Sequence, residues 1–358
     1  MWGLSPPNPF LTLTLQALSR YTVNDMKKKK VKAIALLSGG LDSALAIKLV
    51  QEQGVNVSGV YFTSPFFARE RLGKNYARLT AEKLGITFMS IDLGMEYLKV
   101  IKHPKHGHGT GINPCVDCKI HMLKKAKKMM KELGAQFIIT GEVLNQRPMS
   151  QHYRALLNIE KEAGLEGKLL RPLSARCLPQ TEPEKKGLVD REKLLDIQGR
   201  QRKHQAALAK KFGINEFSPP AGGCLLTQQE FSKKLRDLIQ HQKRITLDDV
   251  YLLKVGRHFR HGKNKIIVGK NEKENQEIIA RKKAGDLIFE VPGCGSPDTL
   301  LDGPKTKKSI ALAARLTARY SDCKSEKVLV KYGKEKLTHD LIVEPISQAE
   351  AERLNLTK

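Results

Sequence analysis

An apolar run, AIALL at 33–37, passes straight into SGGLDS at 38–43, and Leu45, Ile47, Leu49 and Val50 follow in helical reach of one another. A strand without polar alternation is buried on both faces, as a parallel strand is when helices cover it from both sides. Strand, glycine turn and helix in that order point to an α/β fold. The pattern then repeats. VNVSGVYF (55–62), ITFMSI (86–91), QFIIT (136–140) and the shorter GKLLRPL (167–173) read as strands. Helices are expected over 68–84 and 116–133, stopped by Gly85 and Gly134. Strands alternating with helices predict a doubly wound parallel sheet. Ligands in such sheets lie beyond the C-terminal ends of the strands.

A helical stretch is also expected over 191–212 and a boundary region over 235–249. The texture then changes. YLLKVGRHFR, KIIVGKN, DLIFEVPGCG and KVLVKYG read as short strands around one helical segment, SIALAARLTARYS. This predicts a second, smaller α+β domain. The expected division is an extension over 1–30 outside the fold, a nucleotide domain over 31–240 and a small domain over 241–358. Met26 before four lysines reads as an alternative start, and the N-terminal stretch lacks the features of a signal peptide.

Lys and Arg total 63 against 37 acidic residues, a net charge of +26. That excess points to polyanions, nucleic acid first. Six unevenly spaced cysteines do not make a disulfide scaffold and fit a reducing, cytoplasmic setting. No run approaches the ~20 apolar residues of a membrane span.

The first turn, SGGLDS, lacks the Gly-Lys-Ser/Thr ending of a Walker loop, yet it has the physics of a phosphate cradle. Gly39 and Gly40 let backbone N–H groups converge, the following helix adds its N-terminal dipole, and Ser38 and Ser43 offer hydroxyls. Asp42 would repel phosphate unless Mg2+ lay between them. SGGLDS resembles the PP-loop of the ATP pyrophosphatases, which cleave ATP to AMP and pyrophosphate and attach AMP to a carbonyl oxygen. The resemblance implies an adenine nucleotide alpha hydrolase-like fold, with Ser38, Gly39, Gly40, Asp42 and Ser43 holding pyrophosphate and Mg2+, and adenine near 61–64. TGEVLNQRPMSQ at 140–151 and LLRPLS at 169–174 resemble the ThiI-type 4-thiouridine synthases that act on tRNA. Gly141 would admit the ligand close to the backbone. Glu142, Gln146 and Gln151 become candidate nucleotide or substrate contacts, and Arg171 a candidate for stabilising the adenylate. The chain departs from better-known members: 31 residues leave no room for a THUMP region, and no rhodanese loop is present. RNA capture and sulfur, from sulfide or a cysteine desulfurase, are then expected from elsewhere.

NPCVDC at 113–118 places Cys115 and Cys118 three apart, and Cys224 follows in PPAGGCLL. Asn113-Pro114 reads as a rigid lead into a helix, whose N-terminus lowers a thiol's pKa. Three thiolates suit an iron–sulfur cluster with one iron left open. The set resembles that of the cluster-dependent tRNA thiolation enzymes, which hold [4Fe–4S] beside the PP-loop. Three rival readings stand: a persulfide pair, as in the 2-thiouridylases that NPCVDC also resembles; zinc with His106 or His108 as fourth ligand; and inert thiols. Cys177, Cys294 and Cys323 read as structural.

Residues 250–275 and VPGCGSPDTLLDG at 291–303 resemble the NFACT-R RNA-binding domain. Lys254, Arg257, Arg260, Lys263, Lys265 and Lys270 alternate with apolar residues there, so one strand face would be free for phosphates. The helix after the cysteine pair carries Lys124, Lys125, Lys127, Lys128 and Lys131 off an apolar stripe of Ile120, Leu123, Met130 and Leu133. Together these features predict an ATP-dependent tRNA uridine thiolase, acting at the 4-position, with a homodimer left open. The alternatives are thiolation at the 2-position, a PP-loop amide ligase, for which no glutaminase is visible, and a non-catalytic RNA-binding protein.

Overall fold

The computed structural model describes residues 30–67, 74–218 and 224–358. The N-terminal extension to residue 29, the start of the helix expected from 68, and the glycine-rich stretch before Cys224 lie outside the described residues. The first part of the chain alternates β1 (Lys32–Leu36), α1 (Leu41–Gln51), β2 (Asn56–Thr63), α2 (Tyr76–Lys83), β3 (Thr87–Asp92), α3 (Glu96–Lys102), α4 (Cys115–Glu132), β4 (Phe137–Ile139), α5 (Tyr153–Ala163) and β5 (Leu169–Leu170). Then come α6 (Glu182–Lys185), α7 (Lys203–Lys211) and α8 (Gln229–His241).

The five strands run parallel in the order β3-β2-β1-β4-β5. Alternate residues of β1 feed opposite cores. Ala33 and Ala35 bury against α1, α2 and α7, whereas Ile34 faces the core formed with α3, α4, α5 and α8. The sheet is therefore doubly wound, as the unbroken apolar run predicts. Its order reverses between β1 and β4, so the loops after these two strands open the crevice where such sheets bind ligands.

The second unit comprises α9 (Leu247–Leu252), β6 (Arg257–His261), β7 (Asn264–Val268), α10 (Glu272–Ala280), β8 (Leu287–Glu290), β9 (Thr299–Asp302), α11 (Lys307–Tyr320), β10 (Val328–Gly333), β11 (His339–Val343) and α12 (Gln348–Leu354). Its strands pair antiparallel in the order β11-β10-β8-β9-β7-β6. Ala313, Ala314 and Leu316 of α11 fill one face, and Ile278 of α10 with Leu252 covers part of the other. The seam runs through α9, where Val250 joins the first core and Leu252 the second.

Several local expectations differ. The helix expected over 191–212 exists only as α7, because Gly199 takes a left-handed φ of 83° and a short 3-10 turn precedes it. The boundary region expected over 235–249 is itself structured: α8 buries Phe231, Leu235 and Leu238 in the first core, and the seam follows in α9. Leu133 is 41% exposed at the end of α4, and the buried stripe is Val116, Ile120, Leu123, Ala126 and Met130.

Candidate active site

The turn after β1 is laced by its own serines. Ser43 Oγ donates to Gly40 O at 2.8 Å, Ser38 N donates to Ser43 Oγ at 3.3 Å, and Gly40 N donates to Ser38 Oγ at 3.3 Å. Gly40 caps α1 without a side-chain bond, so among the described residues no side chain caps the N–H groups of the first turn. Such groups are what an anion takes up. Gly39 has φ 75°, and a Cβ there would sit 2.7 Å from Ala77 N. The loop after β4 presses on this turn at Gly141, where a Cβ would lie 2.5 Å from Ser43 N and 2.7 Å from Asp42 O. Glycine at 141 is thus required by backbone contact with the turn itself.

Two carboxylates flank the crevice with opposite electrostatics. Burial lifts the pKa of Asp42, although Gln146, Arg202 and Arg147 oppose the rise. Gln146 Nε2 donates to Asp42 Oδ2 at 3.2 Å, while Oδ1 is buried without a partner. Burial would also lift Glu142, but Lys119 and Arg171 outweigh it and hold its pKa below the ordinary value. Glu142 Oε2 accepts from Thr140 Oγ1 at 3.1 Å and Arg171 Nε at 3.2 Å. Its Oε1 has no hydrogen-bond partner, with Lys119 Nζ 3.6 Å away. Gln151 Oε1 is likewise buried without a hydrogen bond among the described residues, whereas the Gln205 side chain lies beside the Asp42 carboxylate and also opposes the rise of its pKa. Buried orphan acceptors are rare, and bound ions or ligands commonly account for them. Asp42 Oδ1 and Glu142 Oε1 fit a hard cation such as Mg2+, which takes oxygen ligands.

Arg171 does not suit the role of adenylate contact. It is 3% exposed, and its guanidinium donates to Glu142, to Glu160 Oε2 at 2.8 Å and to Leu156 O at 3.0 Å. It holds Glu142 in place from below. Arg171→Met would leave Glu142 and Glu160 buried without their partner and is expected to cost ~3–5 kcal/mol of stability, read by urea denaturation. A change within experimental error would contradict that positioning role.

The cysteines are assembled by backbone contacts far apart in sequence. Cys224 bridges Phe67, and Leu225 N donates to Phe66 O at 3.1 Å. Ile112 N donates to Leu226 O at 3.0 Å, and a Cβ on Gly111 would lie 2.2 Å from that same oxygen. These bonds bring the segment of Cys224 against the entry to α4, which begins at Cys115. Asn113 Nδ2 donates to Cys115 Sγ at 3.1 Å. Burial pushes the Cys118 thiol up to about 11 and the Cys224 thiol up to about 12, and in each the neighbouring cysteines add to the rise. Among the described residues no three His, Cys, Asp or Glu side chains stand close enough to form a finished metal site. The donor set nonetheless fits an iron–sulfur cluster by its chemistry: three soft sulfur ligands, of which Cys118 and Cys224, kept protonated by burial, would give up their protons on taking iron. Zinc loses its expected fourth ligand. His106 Nε2 faces Glu162 Oε1 at 2.9 Å, and His108 Nε2 bonds Ile101 O at 2.8 Å.

Two residues here escaped the sequence reading. Tyr97 of α3 is buried, packs its ring against Phe66, Phe67 and His121, and its hydroxyl opposes the rise of the Cys118 pKa. Lys119, next to Cys118, reaches Glu142 and so links the thiols to the nucleotide crevice. The place of Lys119 directly after the CxxC pair was its available signal; Tyr97 had none.

Of the expected RNA contacts, two are interior. Lys265 is 5% exposed, and burial pulls its pKa down to about 8. Arg260 grips Asp237 of α8 with Nε at 2.8 Å and Nη2 at 2.5 Å, and Lys265 Nζ lies 3.9 Å from the same carboxylate. These residues fasten the small domain to α8, because that helix covers the strand face that alternation alone left open. Arg257 stacks 4.5 Å over Tyr320 and donates to Gly269 O, and Lys254 lies 4.6 Å over Tyr251. Lys125 pairs with Glu96 at 3.3 Å, while Lys124 and Lys128 are exposed on α4.

Residues 29–176 match the family described as "Thiamine biosynthesis protein (ThiI)", and residues 256–354 match "NFACT protein RNA binding domain". Two separate regions of the chain thus match two family models, the first that of ThiI and the second that of an NFACT-type RNA-binding domain. Over 136 residues it is 33% identical to "tRNA-specific 2-thiouridylase MnmA 1" of Clostridium tetani, covering 34% of this chain and 36% of that protein. Over 191 residues it is 29% identical to "Probable tRNA sulfurtransferase" of Thermococcus kodakarensis, covering 52% of this chain and 42% of that protein. The chain thus spans well under half the length of these relatives. A solved structure, the U34-tRNA thiolase NcsA of Methanococcus maripaludis with its [4Fe-4S] cluster, aligns over 64% of this chain and 72% of its own at 19% identity and TM-score 0.34. That likeness is too distant to bear on the site. The crevice residues Ser38, Asp42 and Glu142 all fall within the ThiI domain, as do Cys115 and Cys118.

Proposed function

We propose that the chain is an ATP-dependent tRNA uridine thiolase acting at the 4-position. One observation carries the reading: among the described residues the carboxylates of Asp42 and Glu142 each keep a buried oxygen without a hydrogen bond near the uncapped start of α1 at the sheet's switch point, and Lys119, ion-paired to Glu142, follows directly on Cys118 of the partly buried cysteine cluster. The first-turn N–H groups and Ser38 would hold the pyrophosphate of ATP, with Mg2+ between it and the two carboxylates. A uridine carbonyl oxygen then attacks the α-phosphorus, pyrophosphate leaves, and the base is adenylated. Sulfur presented at Cys115, Cys118 and Cys224 adds at the activated carbon, and AMP departs with the oxygen. A [4Fe–4S] cluster bound by those thiolates would supply a coordinated sulfur at that point. Tyr97 and Asn113 orient the thiols, and the core around Phe66 and Tyr97 keeps bulk water from them.

Pyrophosphate exchange into ATP that rises when tRNA is added tests the first half-reaction. Its absence would leave an RNA-binding protein. Exchange stimulated by a small carboxylic acid instead would favour an amide ligase. Thiolation at the 2-position is the second reading, favoured by NPCVDC and by identity to a 2-thiouridylase.

The exposed lysines of α4 are expected to hold tRNA phosphates. Lys124→Ala and Lys128→Ala should each lower the slope of log K against log salt by about one. Filter binding across a salt series reads this, and unchanged slopes would remove α4 from the interface.

A further inference from the structure

The small domain brings together two cysteines that the site does not use. Cys294 lies in the turn between β8 and β9, and Cys323 in the turn between α11 and β10. Asp322 N donates to Gly295 O at 2.8 Å, and a Cβ on Gly295 would lie 2.2 Å from Asp322 Oδ2, so the two turns are pressed together beside both thiols. The two thiols are close enough for Cys294 to bear on the titration of Cys323, pack on the rim of the same core, and are both partly exposed.

We propose that Cys294 and Cys323 are a redox modification site that closes to an intradomain disulfide under oxidising low-molecular-weight disulfides. Cys323 is the attacking sulfur. The N–H and hydroxyl of Ser325 point at it and, with Cys294, hold its thiol below the usual range. Its thiolate attacks glutathione disulfide, forming a mixed disulfide and releasing one glutathione thiolate. Cys294 loses its proton to solvent and attacks the Cys323 sulfur, releasing the second glutathione. The two protein thiols are oxidised to one S–S bond, and one glutathione disulfide is reduced to two thiols. The disulfide would staple the turn after α11 to the turn before β9. That places it directly after Tyr320, on which Arg257 stacks.

The test uses the full-length reduced protein, oxidised glutathione, trapping with N-ethylmaleimide, and peptide mapping without reductant. The expected result is loss of two of the six alkylatable thiols, a peptide linking Cys294 to Cys323, and recovery of both thiols with dithiothreitol. Cys294→Ser should leave glutathione trapped on Cys323. Cys323→Ser should leave Cys294 alkylatable over the same time. The proposal is overturned if both thiols of the wild-type protein stay alkylatable, if each carries its own glutathione without joining, or if either pairs with another cysteine.

Discussion

Asp42→Asn is expected to abolish pyrophosphate exchange, lowering it by about 100-fold or more, the scale of losing one preorganised electrostatic contact to a transition state. Its Oδ1 is the buried acceptor without a partner at the start of α1, and an amide cannot replace a carboxylate on Mg2+. The same substitution separates lost chemistry from lost folding. Burial raises the pKa of Asp42 above 3.8, so the folded state favours the protonated form. That contribution is present below the unfolded pKa and fades as pH rises through the folded one. At neutral pH the buried charge therefore works against the apo fold, and asparagine carries none. Without ATP the variant should melt at least as high as the parent. With saturating MgATP the parent should gain in melting temperature and the variant should not. Retained exchange activity in Asp42→Asn would remove the cation role.

Cys224→Ala is expected to abolish thionucleoside formation, by about 100-fold or more, while leaving pyrophosphate exchange in place. Groups that act as a unit fail together, so Cys115→Ala and Cys118→Ala should each do the same. Cys177→Ala should change neither activity, since its thiol faces Asp196 O at 3.2 Å away from the pocket. The pattern also distinguishes how sulfur is held. A persulfide pair needs two thiols, so one of the three would be dispensable. A three-thiol ligand set tolerates no loss, and each variant should also lose iron and the visible absorbance of the reconstituted protein. Thiolation that survives Cys224→Ala would remove that residue from the site.

What sequence could reveal followed the range of the forces involved. AIALL and SGGLDS are local patterns, and they specify a strand buried on both faces and the turn that follows it. The pairing of Cys115 with Cys118 is equally local. Cys224 could only be guessed, because its approach depends on the bridge to Phe67 and the bond between Ile112 and Leu226. Tyr97 was invisible: one tyrosine in a short helix reads as ordinary core until the thiols are placed beside it. Arg260 and Lys265 were misread because alternation tells which residues share a face but not what covers that face. Asp237 covers it, from a helix in the stretch that the sequence marked only as a boundary region. Arg171 was found by its position after β5, but only its ion pairs with Glu142 and Glu160 separate a positioning role from a ligand contact. Cys294 and Cys323 meet through turns with no periodic signal between them.

The most direct test of the account is nucleoside mass spectrometry of unthiolated tRNA incubated anaerobically with the purified, iron- and sulfide-reconstituted protein, with and without ATP. The account predicts 4-thiouridine that appears only with ATP and disappears with Asp42→Asn or Cys224→Ala. The absence of any ATP-dependent thionucleoside, from protein that is folded, loaded with iron and able to bind the tRNA, would contradict it.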